Sequence, residues 1–522
     1  MRDAGCGVLA QPGVRLTTAP ATLAEVARVA AGAQVEIGED ALDRIVASRQ
    51  VVDDAIGRGE VVYGVTTGVG HARDERLPPD TLRELQPTLI EMHVGAMGPM
   101  LAPERVRAAM AARLIGFARG GAGVSLPVAR GIEALLNHGI VPLMPARGSI
   151  GAGDLGQLAS VGRVLIGRGE VDVDGRRLDA ATALDAAGLE PVTLEAKDAL
   201  AIMSSNAVTL GHGALLASRL DRLLALADLV VATSMEARHA NPSVVDPVVA
   251  RVRGSLGQQA TSERIRGALR GSTRTEPGPG QSVQDPLSFR VVPQVHGACR
   301  DGLELVATAL TAELNATADN PLVDAASARI ISNGNFHPMN LTLAVESLRL
   351  GLAHVGLLCE RRMGHLWDAV VTSPQTLGAS DTGPVFHDGT PPALAGLGLR
   401  YPGAARYTRL RMVAQPVSLD VPPLDLAVED HATNAAEAMS LAEESMALVE
   451  ELLVIELLVA VLLLDPHDHA GGMGAGTRRL VEVLDETLQP LQTGTLPHDV
   501  HRHLTDALRH RLDDLIGGEA GQ

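Results

Sequence analysis

The stretch Pro145-Ala-Arg-Gly-Ser-Ile-Gly-Ala-Gly-Asp-Leu-Gly-Gln-Leu-Ala159 is where the prediction of the fold begins. It places four glycines within nine residues, directly before an apolar, helix-periodic segment that starts at Leu155. Glycines at the start of a helix let the backbone approach a ligand and point free N–H groups at it. The segment Gly151–Gly156 also matches G-x-G-x-x-G, but Asp154 would put a carboxylate where pyrophosphate binds, and the flanking chain does not alternate strand and helix. A dinucleotide site is the weaker interpretation.

The composition indicates a large helical protein. The chain has 522 residues, 46% hydrophobic but only 2% aromatic, so Ala, Leu and Val must fill the interior, and Ala and Leu favour helix. A formal net charge of −18 argues against nucleic acid and anionic membranes as partners. Three widely separated cysteines suggest neither a disulfide framework nor a zinc site, and the N-terminus lacks the apolar core of a signal peptide. We therefore expect a cytoplasmic protein.

Periodicity predicts helices over residues 21–60, 79–138 and 193–235, with Arg107–Gly120 amphipathic. The best hairpin is Gly169–Leu178, in which an Asp-Gly turn joins two short alternating strands. Polar or Pro/Gly-rich segments at 254–285 and about 373–405 are predicted to be irregular. Residues 465–469, Asp-Pro-His-Asp-His, could suggest metal ligands, but such histidines more often form a solvated cap, so no metal is predicted.

Three long helices are predicted at about 294–316, 338–365 and 428–464, and the tail over 474–517 is helical. Within the last long helix, Leu452–Leu464 is interrupted by Glu456 and is too short to span a bilayer, so it is interpreted as a buried helix. The fold class is mainly α: a long central helix bundle with a small β-hairpin and functional loops. The chain is divided into an N-terminal tail (1–20), an N-terminal region (21–205), a central bundle (206–480) and a C-terminal helical tail (481–522).

Several loop motifs occur in a fixed order along the chain, and together they resemble the histidine/aromatic amino-acid ammonia-lyase family over roughly residues 20–480. The motifs are Tyr63-Gly-Val-Thr-Thr-Gly, Met92-His-Val-Gly, Gly148-Ser-Ile-Gly-Ala-Gly-Asp-Leu, Gln284-Asp-Pro-Leu-Ser-Phe-Arg, Asp319-Asn-Pro-Leu, Asn333-Gly-Asn-Phe-His and Glu429-Asp-His. The resemblance implies an all-α long-helix bundle, a homotetramer, and active sites built from several subunits. It also implies elimination of an α-amine and a β-proton from an amino acid, through a methylidene-imidazolone electrophile made from an internal Ala-Ser-Gly.

The chain departs from that pattern at the electrophile. The family reads Gly-Ser-x-Gly-Ala-Ser-Gly-Asp-Leu. In this chain Ala152 is followed directly by Gly153 and Asp154, so the serine between alanine and glycine is missing. Dehydration of the middle serine supplies the methylidene, so a loop without it is not expected to form the group, and no cofactor is predicted. Ser149 could substitute only with a β-branched Ile150 as the third residue, which hinders the tight turn.

Two further departures lie next to the electrophile in the family. Leu287 stands where the family has tyrosine. Ser204 aligns with an asparagine that hydrogen-bonds near the prosthetic group, and Asn206 lies two positions away. Three positions that serve the prosthetic group are thus altered together.

The positions that serve the substrate are retained. Tyr63 matches the family's base for the β-proton, although it could simply cap a glycine turn. Arg290 matches a carboxylate clamp, a role that suits a planar bidentate donor, or it forms a structural ion pair. His93 and Glu429 match the imidazole contacts of histidine-specific members, and the alternative for Glu429 is a charge at a helix N-terminus.

Three more positions belong to the implied pocket. Phe336 lines it or packs in the core, and Gln284 opens the motif that contains Arg290. Arg406 replaces a family glutamine across an insertion or deletion, and its role stays open.

The resemblance and its departures lead to a carbon–nitrogen lyase that works without the electrophile. A quaternary trimethylammonium leaves as a neutral amine, so it needs less activation than an ordinary amine. Members that resemble ergothionase also lack the prosthetic group, and they act on an imidazole-bearing betaine. We expect a substrate of that class, amino acid or betaine, and a urocanate-like product. The alternatives are a conventional ammonia-lyase or aminomutase, elimination from an unrelated small substrate, and an inactive homologue that acts as a binding protein.

Overall fold

The structure, a computed structural model, describes residues 13–276, 283–372, 399–419, 421–464, 470–491 and 496–517. These residues are mostly helical, as the composition predicts. The helices are α1 Leu23–Ala30, α2 Glu39–Gly57, α3 Leu85–His93, α4 Pro103–Ala118, α5 Leu126–Asn137, α6 Leu155–Leu165, α7 Ala180–Ala186, α8 Asp198–Met203, α9 Ala207–Ala237, α10 Pro247–Arg253, α11 Leu256–Ala268, α12 Leu287–Arg290, α13 Val292–Leu314, α14 Met339–Thr372, α15 Arg400–Val413, α16 Ala435–Val461, α17 Ala475–Leu488 and α18 Pro497–Gly517. The strands are β1 Val14–Leu16, β2 Val35–Ile37, β3 Met97–Met100, β4 Val141–Pro142, β5 Pro145–Arg147, β6 Glu170–Val173, β7 Arg176–Asp179, β8 Leu322–Asp324 and β9 Arg329–Ile331.

The chain divides into two compact units. Unit one comprises Met1–Ala217, Val306–Ala344 and Pro416–Ser440, and unit two comprises Ser218–Leu305, Val345–Gln415 and Leu441–Gln522. The long helices predicted at about 294–316, 338–365 and 428–464 are confirmed as α13, α14 and α16.

Helix α4 forms the centre of unit one and is not amphipathic. From Val106 to Ala118 every residue except Gly116 is buried, so the predicted amphipathic character of Arg107–Gly120 is wrong. The reason is that its arginines are satisfied inside the protein. Arg107 donates to the backbone carbonyls of helices α1 and α5, at Val29 (2.8 Å) and Leu136 (2.9 Å).

The hairpin predicted at Gly169–Leu178 is confirmed as β6 and β7. Asp174 and Gly175 both have positive φ, 51° and 77°, as the tight two-residue turn requires. Strand β4 adds to the other edge of β6, so the small sheet has the order β4-β6-β7. The parallel pair of β1 and β2 was not predicted, because three-residue strands give no clear period-two signal.

Unit two contains the apolar part of α16. The predicted buried helix is confirmed over Leu452–Val461, where every side chain is buried. Glu456 is tolerated there because Arg362, itself fully buried, donates two hydrogen bonds to its carboxylate (2.6 and 2.9 Å). Ser234 donates a third (2.7 Å). A buried carboxylate paired in this way avoids the cost of an isolated buried charge.

The irregular segment predicted at 254–285 is wrong for Leu256–Ala268, which forms α11. Ser255 caps this helix by accepting a hydrogen bond from the Gln258 N–H (3.1 Å). A Cβ on Gly257 would lie 2.2 Å from the carbonyl oxygen of Gly297 in α13. The small, polar residues that suggested a loop instead permit a close helix crossing.

The second irregular segment, predicted at about 373–405, lies largely outside the described residues. Its last part is wrong, because residues 400–405 are helical in α15. The histidine-containing segment at 465–469 also lies outside the described residues. Within the described ranges, no three His, Cys, Asp or Glu side chains lie together as a metal site would require.

Cys299 and Cys359 are buried and free, and burial raises the pKa of the Cys299 thiol to about 12.

Of the described helices, α14 is long and apolar enough over Met339–Val370 to cross a membrane by length and composition alone. Half of its most apolar 18-residue stretch is buried within the protein.

Lys197 is the single lysine in the sequence, and it lies inside unit one. It is 1% exposed, and its ammonium donates to the carbonyl of Ala122 (2.5 Å). Burial lowers its pKa from 10.5 to about 8, although Asp319 and Asp198 oppose that change. The residue directly precedes α8, which leads to the candidate site.

Candidate functional site

The loop between β5 and α6 carries the glycine cluster of the opening stretch. Strand β5 pairs with β3 and ends at Arg147. Gly148, Gly151 and Gly153 then all have positive φ, at 150°, 77° and 93°. A Cβ on Gly151 would lie 2.1 Å from Thr433 Oγ1, so this position accepts only glycine without displacing its neighbours.

Ser149 braces the loop from inside. Its hydroxyl oxygen accepts a hydrogen bond from the Gly151 N–H (3.0 Å), and the hydroxyl donates to the Gly153 carbonyl (3.3 Å). Ser149 also lowers the pKa of the nearby Asp154 carboxyl, against the larger rise that burial causes. The serine that remains in the motif therefore has a structural role in this conformation.

Asp154 joins the loop to helix α9. Its fully buried carboxylate accepts hydrogen bonds from the Thr209 N–H (2.9 Å) and the Thr209 hydroxyl (3.1 Å). Burial raises the pKa of Asp154, and these hydrogen bonds partly offset that rise. Its backbone N–H donates to the carbonyl of Ser205 (2.7 Å), two residues before α9 begins. Asp154, a predicted residue, thus connects the start of helix α6 to the start of helix α9.

Asn206 is the amide that holds the loop. Its Oδ1 accepts from the Gly153 N–H (3.1 Å), and its Nδ2 donates to the carbonyl of Phe336 (2.8 Å). The sequence alignment pointed to Ser204 instead, whose side chain is buried two residues earlier. A better signal was available: Asn206 is the amide directly before the long helix α9, a position where such side chains often bond backbone groups.

The start of helix α16 closes the loop on a third side. The Asn434 N–H donates to the Ile150 carbonyl (2.8 Å), and the Thr433 hydroxyl donates to the Gly151 carbonyl (2.7 Å). Neither residue was predicted. Helices α6, α9 and α16 therefore all begin beside this loop, and the partial positive charges of their N-termini favour negative charge there.

Tyr63 lies in the glycine-rich turn between α2 and α3, which is a loop as predicted. The half-buried side chain accepts a hydrogen bond at its phenol oxygen from the Gly70 N–H (3.2 Å). Gly64 has φ of 64°, and a Cβ there would lie 2.5 Å from Leu200 Cδ2 in α8. The turn is thus packed against α8 by its backbone.

His93 ends helix α3. Its Nδ1 lies 2.7 Å from the carbonyl oxygen of Leu89, and since a carbonyl only accepts, Nδ1 carries the proton. The charge of His93 lowers the pKa of Glu429, which burial and the charge of Asp425 raise more strongly. The two predicted imidazole contacts are therefore electrostatic neighbours.

Glu429 ends a short strap, Leu424–Glu429, whose two ends pair through backbone hydrogen bonds (2.8 and 3.3 Å). Asp425, Leu426 and Ala427 within the strap all have positive φ, between 47° and 63°. Such backbone costs about 1 kcal/mol or more per residue and persists only when the surroundings impose it. The strap is therefore held by its neighbours rather than by its own preferences.

The strap meets the Tyr63 turn at Gly70. A Cβ on Gly70 would lie 2.1 Å from Asp425 Oδ2, and Asp425 Oδ1 lies 2.7 Å from His71 Nδ1. Because Gly70 also donates to the Tyr63 phenol, the predicted base and the strap of Glu429 share one point of contact. Asp425 was not predicted, and no sequence pattern marked it.

The remaining predicted residues lie in unit two. Gln284 and Leu287 are exposed. Arg290 ends the short helix α12, and its Nε donates to the carbonyl of Asp285 (2.7 Å). The Asp285 carboxylate accepts from the backbone N–H of Asn241 (2.7 Å). Within this unit the Arg290 guanidinium is thus oriented by its own turn.

Arg406, also in unit two, pairs with Glu451 of helix α16. Both side chains are partly exposed, so the pair contributes little stability. The structure gives Arg406 a carboxylate partner inside its own unit, and this residue has no other observed role.

Comparison with known proteins agrees with this geometry. The family model of aromatic amino acid lyases matches residues 21–486. The chain belongs to the aromatic amino acid lyase family. Histidine ammonia-lyase from Symbiobacterium thermophilum is 36% identical over 448 residues, which cover 85% of this lyase and 86% of that protein. The corresponding enzyme from Natranaerobius thermophilus is 33% identical over 473 residues, 88% and 89% of the two chains.

Solved structures show the same fold. The lyase superposes on ergothionase from Treponema denticola, in complex with desmethyl-ergothioneine sulfonic acid, with a TM-score of 0.87, 28% identity and coverage of 96% and 99% of the two chains. It also superposes on tyrosine aminomutase from Streptomyces globisporus, with a TM-score of 0.88, 27% identity and coverage of 98% and 99%. The protein is a carbon–nitrogen lyase of this family, and the predicted mainly α fold is confirmed.

A buried arginine links two segments of the lyase that reach the site. Arg113 donates to the carbonyl of Ala201 in α8 (2.8 Å) and to the carboxylate of Asp319 (2.6 Å). The Asp319 carbonyl in turn accepts from Asn333 Nδ2 (3.0 Å). One segment ends at Asn206 and the other at Phe336, and these two residues hydrogen-bond each other. The Asp319 and Asn333 motifs thus serve as supports.

Unit one of the lyase brings most of the predicted residues into two linked groups. One group surrounds the strap and consists of Tyr63, His93 and Glu429. The other surrounds the glycine loop and consists of Ala152, Gly153, Asp154, Ser204 and Phe336. Unit two holds Gln284, Leu287, Arg290 and Arg406.

Proposed function

We propose that this lyase eliminates trimethylamine from an imidazole-bearing betaine, such as ergothioneine or histidine betaine, without a methylidene-imidazolone group. The observation that carries the proposal is the loop itself, in which Ala152 is followed directly by Gly153. The electrophilic methylidene derives from the β-carbon of a serine at that point. A loop without this serine has no atoms from which to build it.

The residues present do not fit the group in a shifted register. Ser149 is the remaining serine, and its hydroxyl is occupied by hydrogen bonds to Gly151 and Gly153. Cyclisation around it would require the nitrogen of Ile150 to attack the Gly148 carbonyl. The β-branched side chain of Ile150 hinders such a turn, and its carbonyl is held by Asn434.

A quaternary leaving group removes the need for the electrophile. A base takes the β-proton, the electrons of that C–H bond form the C=C bond, and the electrons of the C–N bond leave with trimethylamine. Trimethylamine leaves as a neutral molecule. Because the quaternary nitrogen of the substrate carries no proton, it cannot be deprotonated into a poorer leaving group before the elimination. The product is a conjugated, urocanate-like acrylate, so charge and atoms balance without a further reactant.

The chain's own residues supply the other functions. Tyr63 acts as the base, and the Gly70 N–H that donates to its phenol oxygen holds that oxygen in place. Arg290 holds the carboxylate, with its guanidinium oriented by the Asp285 carbonyl. His93 and Glu429 contact the imidazole, and Leu287 and Ser204, smaller than the groups they replace, leave room for three methyls.

The similarity to ergothionase supports a betaine substrate, because that structure contains a desmethyl-ergothioneine derivative. The conventional alternative is histidine ammonia-lyase activity, which the names of the sequence relatives favour. Both hypotheses place an imidazole in the pocket. They differ in the leaving group, which is trimethylamine for the betaine and ammonia for histidine. From the family resemblance we also propose a homotetramer, which light scattering of the purified protein would test.

The experiment is a substrate panel with a mass measurement. Purified protein is incubated with histidine, its trimethyl betaine and ergothioneine, and conjugated absorbance, ammonia and trimethylamine are followed. We expect trimethylamine from at least one betaine and no ammonia from histidine. In parallel, the peptide containing residues 148–154 is weighed. A deficit of two waters in that peptide, or turnover of histidine alone, would overturn the proposal in favour of the conventional enzyme.

A further inference from the structure

Two histidines outside the predicted set bond each other beside the site. Nδ1 of His431 lies 3.0 Å from Nε2 of His337, with the ring centroids 4.9 Å apart and the planes inclined by 46°. A hydrogen bond between two imidazoles requires that one nitrogen donates and the other accepts. The pair, which we call the histidine clasp, therefore needs at least one neutral ring.

The clasp joins the two segments that present predicted pocket residues. His337 directly follows Phe336, and His431 lies two residues after Glu429. The backbone on each side is anchored independently. The Phe336 carbonyl is held by Asn206 (2.8 Å), and the chain after His431 is held where Thr433 bonds the glycine loop (2.7 Å). Between these anchors, the clasp is a side-chain hydrogen bond that links the Phe336 segment to the segment after the strap.

The strap itself gives Glu429 little independent support. Three consecutive residues with positive φ precede it, so its backbone depends on neighbours to stay in place. Asp425 is fixed on one side by Gly70 and His71. On the other side, the first side chain that bonds another segment is His431. The clasp thus restrains the end of the strap that carries Glu429.

We propose that His337 and His431 are positioning residues that set the separation of Phe336 and Glu429 and thereby select an imidazole over a phenyl ring in the pocket. This inference rests on the proposed function, because it assigns the pocket to an imidazole. Its physical basis is geometric: an azole N–H reaches a carboxylate only if the ring is held at the right depth. A phenyl ring gains nothing from that contact, so its binding does not depend on the clasp.

Burial also favours a neutral His337 within the clasp. Partial burial lowers the pKa of His337, and the charge of His431 lowers it further. Both effects favour the neutral form of His337, which can accept a hydrogen bond at Nε2.

The test uses binding of two probes that cannot react, imidazolepropionate and phenylpropionate, measured by calorimetry on the full chain. The clasp is broken by His337→Leu, by His431→Leu and by both together. It is preserved in His431→Asn, whose amide nitrogen can take the place of Nδ1. His138→Leu, at an exposed position directly after α5, is the control.

We expect each leucine variant to weaken imidazolepropionate binding by about tenfold, with phenylpropionate binding unchanged. Because the two rings act as one bond, the double variant should lose no more than either single variant. His431→Asn should recover most of the loss, and His138→Leu should match the wild type. Thermal unfolding of each variant shows whether it is folded. If a leucine variant does not fold, the comparison of His431→Asn with the wild type still tests the clasp.

Additive losses in the double variant, or equal losses for both probes, would overturn the inference. These readouts involve no leaving group. A failure of the betaine proposal would appear in the substrate panel, whereas a failure of the clasp would appear in probe binding.

Discussion

Single side chains decide how the loop at the centre of the site is held. Asn206 bonds the loop and the Phe336 segment at once, Asp154 bonds α9, and Thr433 bonds the loop from the segment just before α16. Sequence reasoning found Asp154 but chose Ser204 over Asn206, because residue-by-residue alignment does not show how a loop one residue shorter shifts its contacts. Such shifts depend on distances that only the folded chain defines.

Replacing Tyr63 by phenylalanine tests its role as the base. The substitution removes one oxygen, which accepts a single hydrogen bond, from Gly70. We expect kcat on the active substrate to fall by about 10²- to 10⁴-fold, as removal of a general base does. Imidazolepropionate binding should stay within about twofold of the wild type, since the base is not a binding group. Activity near the wild-type level would exclude Tyr63 as the base.

Replacing Asn206 by leucine tests the central amide. The change leaves the Gly153 N–H and the Phe336 carbonyl without their partner, and each buried, unpaired group costs about 1–3 kcal/mol. We expect the free energy of unfolding in urea to drop by roughly 2–4 kcal/mol. Ser204→Ala is the matched control, and it should change stability by less than about 1 kcal/mol. A comparable loss in both variants would contradict the distinction between the two positions.

At the scale of elements, hydrophobic periodicity predicted the long helices and the Asp-Gly hairpin, because each rests on local patterns. It missed α11, where the small residue Gly257 packs against α13, and it misjudged α4, where Arg107 is buried with its N–H groups bonded to backbone carbonyls. The strap at Leu424–Glu429 was also beyond sequence reasoning. Its left-handed residues are not glycines, and its shape is imposed by contacts from distant parts of the chain.

Gly70→Ala tests the junction between the Tyr63 turn and the strap. Gly70 has φ of 57°, and the added Cβ would lie 2.1 Å from Asp425 Oδ2. We expect a loss of stability of about 1–3 kcal/mol and a clear fall in kcat/KM, because both Tyr63 and Glu429 depend on this contact. Gly57→Ala, at the end of α2 where no atom lies within 4 Å of the new Cβ, serves as the control. Full activity of Gly70→Ala would show that the junction does not position the site.

At the scale of the whole molecule, resemblance predicted the fold class and the family, because ordered motifs over most of the chain are far more specific than any one of them. It did not predict which charges would be buried. The interior holds paired ions such as Arg362 with Glu456 and Arg113 with Asp319, and beside the latter lies Lys197. These groups connect the fold to pH.

Lys197 should make stability depend on pH at the alkaline side. Its pKa is about 8 when folded and 10.5 when exposed, so the unfolded chain binds more protons between these values. The stability it contributes is therefore present above pH 10.5 and is lost as the pH falls to 8. Relative to Lys197→Met, we expect the wild-type free energy of unfolding to decrease by about 3 kcal/mol over that range. Parallel curves for the two proteins would refute a lowered pKa.

The burial of this one residue also governs how the protein responds to amine chemistry. Since Lys197 is the only lysine in the sequence and is buried, an amine-directed acylating reagent meets no accessible ε-amine on the folded chain. Lysine-directed crosslinkers and immobilisation resins will fail for the same reason. When unit one opens, a single ε-amine becomes available, and the mass rises by one acyl group. The molecule therefore carries its own reporter of unfolding, readable by mass spectrometry without any engineered label.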